Sequence, residues 1–187
     1  MILDVFAQDI PEVLLIQPKR ISDPRGYFSE TFRREVLVDH GVELEFVQDN
    51  ESFSVSKGTL RGLHFQSPPF AQAKLVRVIQ GAIFDVAVDI RHGSPHYGHH
   101  VAVWLDAEEG TQVFIPEGFA HGFCTLEPNT LIAYKVSSYY SPAHDLGLRW
   151  NDPAIAIDWP LSEPEIILSD KDKTHPSLTD LPPYFSY

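Results

Sequence analysis

The sequence predicts a mainly β chain, an antiparallel sandwich or barrel with a few short helices. Three observations carry this. The clearest stretch, Ala82 to Ile90, has a period of two: Phe84, Val86, Val88 and Ile90 share one face, and Ile83, Asp85, Ala87 and Asp89 the other. Strand-like segments recur along the chain, separated by turn signals such as Gly81, His92-Gly-Ser-Pro95, Glu109-Gly110 and Pro128-Asn129. Helical periodicity is confined to one segment, which disfavours a layered α/β arrangement.

The elements follow in order. Val13 to Ile16 is a short apolar strand ending near Pro18, and Asp23-Pro-Arg-Gly26 is a turn. The spacing predicts the one helix over about residues 29–40: Phe32, Val36 and Leu37 fall near one face, Ser29 is placed to cap it and Gly41 to end it. Strands are predicted at Leu44 to Gln48, Glu51 to Ser56, Thr59 to Phe65, Lys74 to Ile79, Ala82 to Ile90, His99 to Leu105, Gln112 to Ile115 and Thr130 to Ser137. Pro116 to Glu127 reads equally as a ligand-approaching bend or as a tight turn between strands, with a glycine on each side of His121. The tail from Asn151 is rich in Pro and Asp and reads as irregular, with a short helix at most.

At 187 residues the chain fits one domain spanning 1–187, long enough to bury a sizeable core. A net charge of −12 argues against nucleic acid and acidic membrane surfaces, which need a basic face. It leaves room for a small anionic ligand held by a few clustered cations. The single cysteine, Cys124, cannot form an internal disulfide and sits in an apolar stretch as a core residue would. Met1 to Asp9 has no basic stretch before its apolar residues and does not read as a signal peptide, and no apolar run is long enough to span a membrane. The expected location is cytoplasmic.

The chemistry concentrates around Arg61-Gly-Leu-His64-Phe-Gln66 and the following Lys74. A neutral imidazole can accept a proton near neutral pH, and a neighbouring cation can hold an anion. On a regular strand, Arg61 and Leu63 would point one way and Gly62 and His64 the other. Alone, His64 reads more readily as a satisfied core histidine; the cations beside it weaken that reading and point to a site. His121 lies between Gly118 and Gly122, where the backbone can bend toward a ligand. Tyr134, Tyr139 and Tyr140 can serve as packing or, in a dry site, as proton donors. The run Leu168-Ser-Asp-Lys-Asp-Lys173 reads as a solvated loop unless one of its carboxylates reaches His64. A metal-dependent barrel would show a His-x-His pair followed by a carboxylate. His64 has no such partner, and the adjacent His99 and His100 face opposite ways on a strand, so no metal is expected. No Gly-rich dinucleotide or phosphate loop is present, and no cofactor is expected.

These pieces occur in order within a longer pattern: Asp23-x-Arg-Gly-x-Phe-x-Glu30, Gln48-Asp-Asn50, Leu60-Arg-Gly-Leu-His-Phe-Gln66, Gln72-x-Lys-Leu-Val-Arg77, Phe84-Asp-Val-Ala-Val-Asp-Ile-Arg91, Pro116-x-Gly-Phe-Ala-His-Gly-Phe123, Tyr134-Lys-Val136, Arg149-Trp-Asn-Asp-Pro153 and Leu168-Ser-x-Lys-Asp172. The pattern resembles the dTDP-4-dehydrorhamnose 3,5-epimerase family over nearly the whole chain. The resemblance implies a cupin-type antiparallel β-barrel or jelly roll that works without metal, as a homodimer. Its substrate would be dTDP-4-dehydro-6-deoxy-glucose, epimerised at C3 and C5. It implies His64 as general base with Asp172 as its carboxylate partner, Tyr134 as the acid on the opposite face of the sugar, and Lys74 at the enolate oxygen. It also implies that Arg25, Phe28, Glu30, Gln48, Asp49, Asn50, Arg61, His121, Asp145 and Lys171 bind the sugar nucleotide, some of them across the dimer. Asp145 stands where a glutamate is common in the family, which shortens its reach by one methylene.

The implied roles agree with elementary chemistry. A C–H beside a ketone is acidic only if the enolate is stabilised, which a cation in a dry site does. Inversion needs a base on one face and an acid on the other. An arginine such as Arg61 can grip a phosphate through two bonds, and Phe28, Gln48 and Asn50 suit a thymine. Two other expectations remain: a relative that epimerises one carbon only, and a non-catalytic cupin that binds a sugar nucleotide. The joint presence of His64, Tyr134, Lys74 and Asp172 counts against the second.

Overall fold

The computed structural model describes residues 3–187; Met1 and Ile2, at the start of the segment read for a leader, lie outside the described residues. The N-terminal part contains β1 (Leu3–Ala7), β2 (Leu14–Pro18), the hairpin of β3 (Arg20–Asp23) and β4 (Gly26–Ser29), and helix α1 (Arg34–Val38). The body follows with β5 (Gln48–Ser54), β6 (Leu60–Gln66), β7 (Lys74–Gln80), β8 (Ala82–Asp89), β9 (Arg91–His92), β10 (His100–Asp106), β11 (Gln112–Ile115), β12 (Phe119–Thr125), β13 (Thr130–Val136) and β14 (Asp145–Gly147). The tail carries 3-10 turns at Glu163–Glu165, Asp172–Thr174 and Leu178–Asp180, then β15 (Phe185–Ser186). Among the described residues no helix is long and apolar enough to cross a membrane.

Two sheets face each other, a six-stranded one in the order β1-β2-β11-β7-β13-β5 and a five-stranded one in the order β10-β8-β12-β6-β14. Their ladders are antiparallel throughout. This is the predicted antiparallel cupin-like class, built as an open sandwich, since no described ladder closes the two sheets on each other. The core between them holds Val76, Val78, Ile83, Ala87, Val103, Ile115, Phe123 and Ile132. The tail covers the outer face of the five-stranded sheet, where Ile155, Leu178 and Leu181 pack on Leu63, Phe65, Phe84, Val86 and Val88. The N-terminal part covers the other sheet, with Leu37 and Val42 on Leu75 and Phe114. β8 is buried on both faces, which explains why Ile83 and Ala87 alternate with the buried carboxylates Asp85 and Asp89 on its second row.

Most predicted strands are found within one or two residues, and three elements differ. The helix is five residues long, capped by Arg33 without a side-chain bond, because Ser29 belongs to the hairpin and gives its hydroxyl proton to the Lys19 carbonyl. Of Leu44 to Gln48, only Gln48 joins a ladder; Leu44 and Phe46 instead pack against the Leu75–Phe114 cluster. The segment around His121 is no turn: β12 is a central strand between β8 and β6, and every residue of it is buried. Such a strand shows no alternation, which hid it in the sequence. Gly122 is required there, since a Cβ would lie 2.8 Å from the Arg61 carbonyl oxygen. Cys124, on the same strand, is buried with Leu60 and Trp150, and burial pushes its thiol up to about 11.

Candidate active site

Residues of both sheets and of the tail enclose a cavity of about 640 Å³ lined by Arg61, His64, Lys74, His121, Tyr134, Lys171 and Asp172, among others. A second hollow of about 360 Å³ adjoins it. The two share His64, Lys74 and Tyr134, and Gln48, Asn50, Tyr140 and Asp145 line the outer part. Three cations therefore meet in a chain of net charge −12, the local reversal that an anionic ligand requires.

Strand geometry sets this convergence, with one irregularity. Regular alternation on β6 would separate Arg61 from His64. The register against β12 pairs His64 with His121 but Arg61 with Phe123, so β6 carries an extra residue between them. This bulge turns Arg61 to the cavity side with His64, while Leu63 stays in the tail-covered core. Gly62 sits at the bulge with φ +133°, and a Cβ there would lie 2.6 Å from Gly122 Cα. Arg61 then leans across to β5, giving hydrogen bonds to Ser54 Oγ at 3.3 Å and the Phe53 carbonyl at 3.1 Å.

His64 and Asp172 are joined at 2.6 Å, Nε2 to Oδ1, across 108 residues of sequence. The run that reads as a solvated loop forms a 3-10 turn against β6, exposed at Lys173 and Thr174 but with Asp172 buried. Burial lowers the pKa of His64, and Asp172 opposes that shift without cancelling it; Lys74 and Lys171 add to the lowering. Burial alone would raise the Asp172 carboxyl, but the imidazoles of His175 and His64 beside it hold it well below the usual carboxylate range. Asp172 is thus a fixed anion that leaves Nδ1 of His64 as the free nitrogen when Nε2 carries the proton. The same turn brings in His175, whose Nε2 lies 3.4 Å from the same Asp172 oxygen. The donor atoms of His64, Asp172 and His175 lie within 4.8 Å of one another.

Lys74 is buried, and its ammonium donates to the His64 carbonyl at 3.3 Å. Burial lowers its pKa to about 8, against the pull of Asp85 and Asp145. Tyr134 is held protonated by burial, with Arg61 opposing the rise and Asp145 adding to it. It projects from β13 of the six-stranded sheet, whereas His64 projects from β6 of the other. A proton acceptor and a proton donor therefore occupy opposite walls of one cavity.

Sequence reasoning missed Asp85. Its carboxylate receives a hydrogen bond from His121 Nε2 at 2.8 Å, and both groups are buried, Asp85 to 1% side-chain exposure. The available signal was a carboxylate on the inward row of β8 between Ile83 and Ala87. At the outer edge, Asp145 Oδ2 accepts from Lys171 Nζ at 2.5 Å and from Tyr140 Oη at 3.0 Å. Gln48 and Asn50 are bonded to each other at 2.7 Å.

Four predicted residues are not brought into the cavity. Alternation along β5 turns Asp49 to the outer face of its sheet, where it pairs with Lys135 at 2.8 Å. Arg25 and Phe28 lie on the exposed β3–β4 hairpin and Glu30 just beyond it. Arg25 is paired with Asp23 at 2.5 Å and Glu30 with Arg33 at 2.6 Å, and Phe28 is 70% exposed.

The model of the dTDP-4-dehydrorhamnose 3,5-epimerase family matches residues 7–180. The chain is 54% identical over 178 residues to a dTDP-4-dehydrorhamnose 3,5-epimerase of Sinorhizobium fredii, covering 95% of this chain and 91% of that protein. Its fold is similar to the dTDP-6-deoxy-D-glucose-3,5-epimerase of Legionella pneumophila, solved in complex with dTDP-4-keto-L-rhamnose, at TM-score 0.94 and 43% identity, covering 99% and 98% of the two chains. A more distant likeness is a 3′-monoepimerase of Streptomyces bikiniensis in complex with dTDP-quinovose, at TM-score 0.85 and 34% identity, covering 92% and 87%. By family model, relatives and fold alike, the chain belongs to the dTDP-4-dehydrorhamnose 3,5-epimerase family.

Proposed function

We propose that this chain inverts C3 and C5 of dTDP-4-dehydro-6-deoxy-D-glucose to give dTDP-4-dehydro-L-rhamnose. The observation that carries the reading is a base and an acid on opposite walls with a buried lysine beside them. His64, with Nε2 bonded to Asp172, takes the proton next to the ketone. Lys74 stabilises the oxygen of the enolate. Tyr134, protonated and facing from the other sheet, returns a proton to the opposite face of the ring. Arg61 and Lys171 suit the diphosphate, and Gln48 and Asn50 the thymine. A homodimer completes the reading: the hairpin of one copy would carry Arg25, Phe28 and Glu30 to the cavity mouth of the other. A cytoplasmic workplace accords with a sugar-nucleotide substrate and the single buried thiol.

Incubation with the substrate in heavy water, followed by NMR of the sugar, tests the reaction. Deuterium is expected at both C3 and C5, with L-rhamno product. Incorporation at one carbon alone would move the assignment to the single-carbon type represented by the Streptomyces relative. Binding without exchange would leave a sugar-nucleotide-binding cupin.

The reading also fixes a pH dependence. The base must be neutral, so activity is present above the His64 value, which lies below the ordinary 6.5. The lysine must be charged, so activity is lost as pH rises through about 8. A bell-shaped kcat/KM profile is expected. A rate that keeps climbing well above that upper limb would remove the Lys74 cation from the reaction.

A further inference from the structure

His175 is the one part of this cluster that the mechanism leaves unused. Its side chain is 8% exposed, and its Nε2 is buried with no hydrogen-bond partner. The nearest acceptor is Asp172 Oδ1 at 3.4 Å, the atom that already accepts from His64. The two imidazoles meet edge to face, with ring centroids 5.5 Å apart. The fold makes space for this: Gly147 pairs directly with His64 across β14 and β6, and a Cβ at Gly147 would overlap the His175 ring. A buried ring nitrogen without a partner is costly in either tautomer, so a site that keeps one beside a carboxylate has a use for it.

We propose that His175 is a positioning residue for the proton transfer, donating from Nε2 to the Asp172 carboxylate and so fixing the carboxylate that holds the His64 tautomer. The inference rests on the reading of His64 as base. Asp172 sits in a single 3-10 turn, Asp172–Thr174, whose other anchor near the carboxylate is the bond from its own N–H to Ser169 Oγ at 3.2 Å. One short turn offers little resistance to rotation of the carboxylate. The second imidazole supplies that resistance at the same oxygen that His64 engages. The remaining charged and titratable groups facing His64 are Lys74 from β7 and Lys171 from the tail, with His121 beside it on β12 and Tyr134 across the cavity. None of these is bonded to the Asp172 carboxylate.

The test compares His175→Phe, His175→Gln and Gly147→Ala with the unmodified protein. Two readouts are used: steady-state kinetics, and 15N NMR of the His64 ring in the protein without substrate. His175→Phe is expected to lower kcat about tenfold with KM nearly unchanged, as loss of an orienting partner does. Its His64 ring should no longer hold the proton on Nε2 alone. The Gln variant keeps a donor and should recover most of the rate and the single tautomer. Gly147→Ala, which displaces the ring without removing it, should reproduce the Phe variant. A Gln variant as impaired as the Phe variant would reduce His175 to packing and overturn the proposal, as would a His64 tautomer unmoved in all three. A changed tautomer with intact turnover would uphold the link from His175 to Asp172 and overturn His64 as the base, so the two failures are distinguishable.

Discussion

His64→Ala should lower kcat by about 10³-fold, the middle of the range for removing a positioned general base. The expectation rests on two facts. His64 is the only imidazole in the cavity bonded to Asp172 at hydrogen-bond distance, and burial keeps it neutral at ordinary pH. The other cavity imidazole, His121, is committed through Nε2 to Asp85 on the far side of β12. Binding should survive, because the cations assigned to the diphosphate, Arg61 and Lys171, contact Phe53, Ser54 and Asp145 rather than His64. Calorimetry with dTDP should give an affinity within about threefold of the unmodified protein, a difference of less than 1 kcal/mol. Deuterium exchange into the substrate should fall with kcat. The variant should also unfold more easily, by about 1–3 kcal/mol, since Asp172 is buried and loses a donor. His64→Asn, which retains a polar group near the carboxylate, separates that structural cost from the catalytic one. Near-normal exchange by either variant would place the base elsewhere.

How far the site could be read from sequence depends on which physical signal each residue carries. Alternation of β8 and β13 is local, so the apolar row of β8 was legible, and so was the inward orientation of one of Tyr134 and Lys135, though not which. The fold class followed from the same signal. Two kinds of information were not local. The bulge at Gly62 adds one residue to β6, and alternation alone assigns Arg61 to the wrong face. The sequence shows a glycine there, but the demand for it comes from Gly122 on the neighbouring strand. The contact of Asp172 with His64 spans the whole body of the chain, and the charge run that contains it is indistinguishable from a solvated loop until the tail is laid over β6. Only the family resemblance named it. Asp85 and His175 show the opposite case. Both were visible as residues, one on an apolar row and one in a Pro-rich tail, but their meaning lies in a partner on another element. The hairpin residues Arg25, Phe28 and Glu30 are a third case, since their expected partner is a second copy.

Tyr134→Phe should separate proton removal from inversion. The phenol is half-buried on β13, burial holds it protonated, and it faces the wall that carries His64. Removing its hydroxyl leaves the base, Asp172 and Lys74 in place, so the enolate still forms. Its proton then returns from the His64 side, which restores the starting configuration. The expected result in heavy water is deuterium in recovered D-gluco substrate, with formation of L-rhamno product slowed by about 10²-fold or more. Substrate affinity should change little, because the ring stays in the wall and loses one oxygen. This pattern differs from the one expected for His64→Ala, where exchange and product fall together. If exchange in Tyr134→Phe fell as steeply as product formation, the phenol would be acting before the enolate forms, as a hydrogen-bond donor to the ketone alongside Lys74. If product formation kept its rate, the acid would have to be another group on the same wall. The second wall offers few replacements: Ser52 and Ile132 accompany Tyr134 from β5 and β13, Glu51 turns with Asp49 to the outer face, and the ionisable neighbour on this wall is Lys74 of β7. Lys74→Gln in the Tyr134→Phe background would then decide whether that ammonium delivers the proton, by whether inversion falls further than exchange.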